Sequence, residues 1–348
     1  MSRVPPAVRV AIGAAAAVGA GLAVEKAVVR RLRKRKNPEI DPLLTLPGDV
    51  RHRSVAARDG GRLHLIERGE GRPLVLLHGI TLAASIWSPQ LHQLAGTPGS
   101  PGFRVIACDL RGHGGSTAGT DGYGLTVLAR DLATVLEELD LRGAIVVGHS
   151  MGGMTLMRFC ADHPDVLDER VGGLAFVATA ASTPVHPFLL SRATALGARL
   201  IDRLDRGDPL PRRTSDNDLS LMMCRLAFGK RPSAAAVEQV RSCVESMDDE
   251  ALGRLGVGLL DHDVRETLGS VTKPALILAG SRDVLTPVRA ARSIAKLLPD
   301  ATFRVLPEAG HQLMQERPDE VAEELRALAE RVDADEAEAP ATARAGTG

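Results

Sequence analysis

The sequence predicts an α/β fold in which helices cover both faces of a mostly parallel sheet. Three observations predict it. Short, continuously apolar runs recur along the chain and are typical of strands buried on both faces. Helix-like stretches separate most of these runs, as they do where strands lie parallel. A Gly-x-Ser-x-Gly pattern stands where one apolar run ends and a helix-like stretch begins.

The individual strands and helices are predicted from hydrophobic patterning. Arg62–Glu67 alternates apolar and polar residues, as a strand with one buried face does. The other strand candidates are short, largely apolar runs: Pro73–Leu77, Arg104–Cys108, Ala144–Gly148, Gly173–Ala178, Ala275–Ala279 and Thr302–Leu306. The helix candidates between them are Leu125–Leu139, Gly152–His163, Pro287–Leu298 and Pro318–Val332. Functional groups are therefore expected where the parallel strands end.

The alternation breaks between residues 182 and 266, which predicts an inserted helical cap. The core of the fold then consists of residues 51–181 and 267–332. Residues 37–50 contain three prolines and no clear period, so they predict a linker. Residues 333–348 consist largely of Ala, Glu, Gly and Thr and predict a disordered tail.

The N-terminal segment differs from the rest in charge. Residues 1–36 carry nine Lys or Arg and one Glu, although the formal net charge of the chain is zero. The apolar run Val10–Val24 and the basic cluster Arg30–Lys36 favour membrane association through residues 8–36, as an anchor or a surface helix. A cleaved signal peptide and a frayed Ala-rich helix are the alternatives. The positive-inside rule would place a spanning protein's domain in the cytoplasm, whereas a surface helix would bring the basic cluster to anionic lipid.

Composition excludes some functions. Zero net charge and only 2% aromatic residues disfavour nucleic-acid binding. The cysteines show no metal-ligand spacing, so no metal site is expected and buried, reduced thiols are favoured. Pairing of Cys224 with Cys243 stays open, as does the oligomeric state.

The strongest functional signal is Gly148-His-Ser150-Met-Gly152, which follows one strand candidate and precedes a helix candidate. A serine at such a turn is pushed out of the fold, and the two glycines remove side chains that would clash there. The N–H groups at the start of the next helix point to the same place. Ser150 is therefore the candidate nucleophile.

A serine hydroxyl needs a base, and the base needs an orienting acid. His311 follows the strand candidate Thr302–Leu306, and Asp283 follows Ala275–Ala279, so both lie at strand ends. We predict His311 as the base and Asp283 as the acid, although each alone would suit an ordinary loop.

The oxyanion hole is predicted from the main chain. The N–H groups of Ile80, which follows His78-Gly79, and of Met151 are placed to bind the oxyanion. The side chain of His149 is expected to point away from the cleft. His113 is expected to be structural.

Several motifs together resemble those of the α/β-hydrolase superfamily, in its capped esterase, lipase and peroxidase-like branch. They are His78-Gly79, Asp109–Gly114, Gly148–Gly153, Gly280-x-x-Asp283 and Gly310-His311. The resemblance covers about residues 60–332. It implies an α/β-hydrolase fold with an eight-stranded, mostly parallel sheet. Haloalkane dehalogenases and epoxide hydrolases of this fold carry Asp at the nucleophile position, so Ser150 argues against both.

The predicted function is hydrolysis of a carboxylic ester through an acyl-enzyme on Ser150, without metal or organic cofactor. The substrate is expected to be a small-molecule ester, and the basic, apolar N-terminal segment slightly favours a lipid-like one. Apolar cap residues fit an acyl chain, but they equally fit a cap core. These residues include Leu189, Leu190, Leu219, Leu221, Met222, Met223 and Leu226. A thioesterase, a carbon–carbon bond hydrolase and a cofactor-free perhydrolase are the enzymatic alternatives. The non-enzyme alternative is a membrane-tethered small-molecule binding protein.

Overall fold

The computed structural model describes residues 29–97, 99–100, 102–183 and 218–345. Most of the predicted membrane segment therefore lies outside the described residues. The same holds for a large part of the predicted cap, including Leu189 and Leu190.

Within the described residues, eight strands form one mostly parallel sheet, which confirms the predicted fold class. They are β1 Arg51–Ala56, β2 Arg62–Arg68, β3 Arg72–Leu77, β4 Phe103–Cys108, β5 Ala144–His149, β6 Val171–Val177, β7 Ala275–Gly280 and β8 Ala301–Leu306. Their order is β1-β2-β4-β3-β5-β6-β7-β8. Only β2 runs antiparallel to its neighbours, β1 and β4. The carboxyl ends of β3 and β5 to β8 consequently lie along one edge.

Strand β1 was not among the predicted strands. Only one of its six residues is buried, because β1 lies at the edge of the sheet. Arg51 and Arg53 from β1 and Arg104 from β4 all pair with Glu67, whose side chain is buried. An edge strand held by ion pairs lacks the apolar run from which the other strands were predicted.

Four helices stand at predicted positions, although the last of them is longer than predicted, and the helices of the described residues lie on both faces of the sheet. They are α1 Ser88–Gln93, α2 Leu125–Glu138, α3 Met151–Asp162, α4 Pro164–Arg170, α5 Asp218–Arg225, α6 Ala234–Ser246, α7 Asp249–Gly258, α8 Val288–Leu297, α9 Leu313–Glu316 and α10 Pro318–Ala345. Leu74 and Leu76 of β3 belong to one core cluster, and Val75 and Leu77 to the other. This alternation shows that a central strand is buried on both faces.

Residues 29–50, here called the N-terminal strap, pack on the protein. Val29 and Leu32 are buried, and Ala234 at the start of α6 donates its N–H to the carbonyl oxygen of Arg35 over 2.8 Å. The Ser88 hydroxyl lies 2.7 Å from the carbonyl oxygens of Leu43 and Thr45. The predicted linker is therefore ordered, because its carbonyl oxygens form hydrogen bonds with a buried side chain of the core.

The predicted disordered tail is wrong for residues 333–345, which continue helix α10. Ala and Glu favour helices, and Arg72 pairs with Asp333 and, at 2.8 Å, with Glu336. These contacts fasten the first turn of the predicted tail to β3.

Two observations bear on the expected membrane association and on the possible disulfide between Cys224 and Cys243. Within the ranges that the structure describes, no helix is long and apolar enough to cross a membrane. Cys224 and Cys243, like Cys108 and Cys160, are buried free thiols.

Candidate active site

Ser150 occupies a sharp turn between β5 and α3. Its φ of 51° and ψ of −118° lie in a region that non-glycine residues rarely adopt. A Cβ on Gly148 would lie 2.5 Å from the carbonyl oxygen of Gly152, and one on Gly152 would lie 2.5 Å from that of Leu77. The close approach of three backbone segments therefore requires both glycines of the motif.

Main-chain hydrogen bonds hold this turn. The N–H of Ser150 donates to the carbonyl oxygen of Val177 on β6, over 3.0 Å. Its own carbonyl oxygen accepts from the N–H of Gly153 at 2.9 Å and from the Thr179 hydroxyl at 2.7 Å. The strained residue is thus fixed from β6 and from its own helix.

Asp283 and His311 meet beyond the ends of β7 and β8. His311 Nδ1 lies 2.8 Å from Asp283 Oδ2, and both residues are buried. Because a carboxylate can only accept, Nδ1 carries the proton in this contact and Nε2 of the neutral ring is left with a lone pair. This is the tautomer that a general base requires.

The Asp283 carboxylate has a complete set of donors. Its Oδ1 accepts from the N–H groups of Leu285 and Thr286 at 2.8 and 2.9 Å, and the Thr286 hydroxyl donates to Oδ2 over 2.7 Å. Burial acts to raise the pKa of Asp283, but the bond and charge of His311 and the Thr286 bonds outweigh it, so the pKa is lowered. The carboxylate therefore stays ionised beside His311.

Sequence reasoning missed Thr286. Its hydroxyl also lies 3.2 Å from His311 Nδ1, so it touches both partners of the Asp283–His311 bond. The sequence signal that could have found Thr286 is its position in the turn after Asp283, because an Asp side chain commonly accepts from N–H groups two and three residues later.

The main chain of His311 is fixed at both of its polar groups. Its N–H donates to the carbonyl oxygen of Ala227 over 2.8 Å, and its carbonyl oxygen accepts from Nε2 of His149 at 2.9 Å. The rings of His149 and His311 are 4.7 Å apart. The expectation that His149 points away is therefore wrong: its side chain supports the loop that carries His311. Burial and the nearby His311 lower the pKa of His149, which keeps its ring neutral.

The loop after β3, residues 79–84, presents Ile80 beside Ser150. Thr81 has a left-handed φ of 64°, and its N–H donates to Nε2 of His113 over 3.2 Å. The N–H of Ala84 donates to Asp109 Oδ1 over 2.6 Å. Burial lowers the pKa of His113 to about 3, so its ring remains neutral and able to accept.

His113 therefore has a defined structural role. Its ring accepts a hydrogen bond from Thr81, the residue after Ile80, and the N–H of Ile80 was the predicted oxyanion donor. Met151, the other predicted donor, is the first residue of α3, where N–H groups have no partner within the helix.

A cavity of about 540 Å³ joins these groups: Ile80, Ser150 and His311 line it. None of its described lining residues is Asp, Glu, Lys or Arg. Its cap side is apolar and includes Met223, Cys224, Ala227, Val240, Val244 and Leu259. No group of three or more His, Cys, Asp or Glu side chains in the described part of the chain is arranged to hold a metal ion.

The apolar cap residues singled out earlier divide by position. Met223 lines the cavity and is 60% exposed, whereas Leu221 is buried in the core and Met222 packs against it. Leu226 is exposed and is not among the lining residues. Part of this set therefore belongs to the hydrophobic core and part faces the site.

Comparison with known proteins identifies the family. A model of the alpha/beta hydrolase fold matches residues 72–318, and the chain belongs to this family. Its relatives include esterases, a carbamate hydrolase and haloperoxidases.

Three of these relatives give the range of similarity. A non-heme chloroperoxidase of Kitasatospora aureofaciens is 30% identical over 73% of this chain and 90% of its own length. A putative carbamate hydrolase of Variovorax paradoxus is 29% identical over 70% and 85%. The solved structure of a thermophilic esterase from Thermogutta terrifontis is 26% identical, with a TM-score of 0.68 over 81% of this chain and 99% of that one.

Proposed function

We propose that the protein hydrolyses carboxylic esters, with Ser150 as nucleophile, His311 as base and Asp283 as the orienting acid. The observation that carries the proposal is the 2.8 Å contact between Asp283 and His311, beside a cavity that Ser150 also lines. The esterase relative supports the same reaction.

The reaction would proceed in two steps. Nε2 of His311 takes the hydroxyl proton as Ser150 Oγ attacks the ester carbonyl carbon, and the imidazolium that forms is stabilised by Asp283. The N–H groups of Ile80 and Met151 stabilise the oxyanion. His311 then protonates the leaving alcohol, and an acyl-enzyme remains. Water, deprotonated by His311, attacks the acyl carbon and releases the acid and Ser150.

The cavity favours a neutral ester with an apolar acyl group, including a lipid-like one. A charged group would have no opposite charge among the described lining residues, and burying it unpaired would cost on the order of several kcal/mol. The volume of about 540 Å³ is in the range of small-molecule sites. The same groups could attack the carbonyl carbon of a thioester, or one next to an activated carbon–carbon bond, so cleavage of those bonds is the alternative.

Turnover of p-nitrophenyl esters of graded chain length tests the proposal. We expect hydrolysis with an optimum chain length, and loss of both turnover and fluorophosphonate labelling in Ser150→Ala. Ser293→Ala, which changes an exposed serine on α8, is the matched control. Equal labelling of Ser150→Ala and wild type would refute the role of Ser150. Saturable binding of these esters without turnover would favour the binding-protein alternative.

A second candidate reaction is perhydrolysis, which the 30% identical chloroperoxidase relative favours. Hydrogen peroxide would replace water in the second step, so that the acyl-enzyme yields a peracid and free Ser150. Peracid formation from an ester and hydrogen peroxide, measured against ester hydrolysis in the same sample, decides between them.

We also propose a cytoplasmic location, which rests on the basic cluster that follows the apolar run.

A further inference from the structure

A cluster of basic side chains surrounds an open cavity of about 660 Å³ beside the N-terminal strap. Four of them come from the strap, and Arg231 comes from the loop between α5 and α6. No Asp or Glu is among the described residues that line it. We call this site the basic cavity; its cations are Arg31, Lys34, Arg35, Lys36 and Arg231.

The basic cavity is part of the folded protein, because contacts with the cap hold the strap. Val29 and Leu32 are 2% and 5% exposed and pack in the core cluster that includes Val237 and Val240 of α6. The bond from Ala234 to Arg35 fixes the strap where α6 begins. The apolar side of the strap therefore faces the cap, which leaves its basic side chains at the surface.

Among the residues that the structure describes, these cations have no carboxylate partner that would neutralise them. Within the described ranges, none of the five forms an ion pair, whereas the neighbouring Lys230 pairs with Glu308 at 2.8 Å. Like charges this close repel one another, and an anion bound among them would relieve that repulsion. Arg31, Lys34, Lys36 and Arg231 are exposed, so the surface is accessible.

We propose that the basic cavity docks on the anionic phosphate headgroups of a membrane. A membrane is favoured over a soluble polyanion because an apolar run precedes the strap in the sequence, with no charged residue from Val10 to Val24. An apolar segment and a basic surface are individually weak membrane signals that together give stable attachment. The proposal does not rest on ester hydrolysis, and its readout is separate from activity.

Arg231 distinguishes this folded surface from a merely basic N-terminal segment, since it lies about two hundred residues away in the sequence. The full chain is sedimented with vesicles of phosphatidylglycerol and phosphatidylcholine, and with phosphatidylcholine alone. We expect salt-sensitive binding that requires phosphatidylglycerol. Arg231→Gln and Lys34→Gln should each lower the partition coefficient roughly fivefold, the effect of one basic residue near an anionic surface.

Two controls make the result specific. Arg292→Gln removes an exposed charge of the same kind on α8 and should bind as wild type does, and Arg231→Lys should retain binding. The thermal midpoint of each variant checks that it is folded. Wild-type binding by Arg231→Gln, or equal binding to phosphatidylcholine vesicles, would overturn the proposal. Displacement by millimolar inorganic phosphate at constant ionic strength would do so too, because it would indicate a site for free phosphate.

Discussion

The N–H of His311 and the carbonyl oxygen of Ala227 are joined by a 2.8 Å hydrogen bond, so the candidate base is bonded directly to the cap. Glu316 strengthens this junction. Its Oε2 accepts from the N–H of Gly229 at 2.7 Å, and its Oε1 accepts from that of Gly310 at 2.9 Å. One carboxylate thus connects the loop after α5 with the loop that carries His311.

Glu316 should make stability depend on pH. Burial raises its pKa to about 7, above the ordinary value of 4.5, because the main-chain bonds only partly offset the loss of hydration. The protonated form is therefore favoured in the folded state. Its contribution to the free energy of unfolding is complete below about pH 4.5 and is lost as the pH rises through 7.

Glu316→Gln tests this expectation, because the amide does not titrate. Urea unfolding at pH 5 and pH 8 should show that wild type loses about 2 kcal/mol more than the variant over this interval. The buried histidines titrate in both proteins, so they cancel in the comparison. Parallel pH profiles would show that Glu316 ionises normally.

Thr286 should matter for catalysis through Asp283. Thr286→Val removes the hydroxyl that bonds Asp283 Oδ2, whereas Thr286→Ser keeps it. We expect kcat/KM to fall about tenfold in the valine variant and little in the serine variant, since hydrogen bonds to charged groups contribute about 1.5–3 kcal/mol. Without that bond the pKa of Asp283 rises, so the acidic limb of the pH–rate profile should move to higher pH. An unmoved limb would assign Thr286 a packing role only.

His113 should act on the transition state through the loop that carries Ile80. His113→Phe keeps an aromatic ring but removes the acceptor for the Thr81 N–H. We expect kcat to fall about tenfold with KM nearly unchanged, because the oxyanion develops only along the reaction path. His163→Phe, at the far end of α3 from Ser150, is the control. A rise in KM alone would indicate that the loop shapes substrate binding instead.

The buried ion pair of Arg111 should control stability. Arg111 is fully buried and bonds both carboxylate oxygens of Asp131 at 2.8 Å. Asp131→Ala should lower the free energy of unfolding by about 2 kcal/mol, because it removes the acceptors of two buried guanidinium N–H groups, while Asp59 still pairs with Arg111. Glu169→Ala, which breaks the exposed contact with Arg142, should change it by less than about 1 kcal/mol. Similar losses in both variants, by chemical denaturation, would contradict this account.

The sequence predicted the fold where burial leaves a local pattern. The strands β3 to β7 are apolar runs because both faces are covered, and the Ser150 motif is local because three backbones meet there. Strand β1 was missed because it lies at the edge of the sheet with one buried residue, and its partner Glu67 belongs to the neighbouring strand. The helical continuation of α10 bonds to Arg72, which is far away in the sequence.

The candidate site shows the same limit. Chain order and strand ends were enough to select Asp283 and His311, which the structure brings within 2.8 Å. The contacts that hold them were not predictable from local patterns. Glu316 bonds a glycine of the cap loop, and His149 bonds a carbonyl group from a distant loop. Such contacts appear only once the chain is folded.

The strap has a practical consequence for anyone who shortens this protein to improve its yield. A form that starts at Leu43 would lack Val29, Leu32 and the Arg35 carbonyl group, and α6 would lose part of its support. Low activity in such a form would be attributed to lost membrane attachment, although its cause would be the weakened packing of α6 beside the cavity. Deletion of residues 1–28 alone keeps the packing of α6, so it separates the effect of membrane attachment from that of damage to the enzyme.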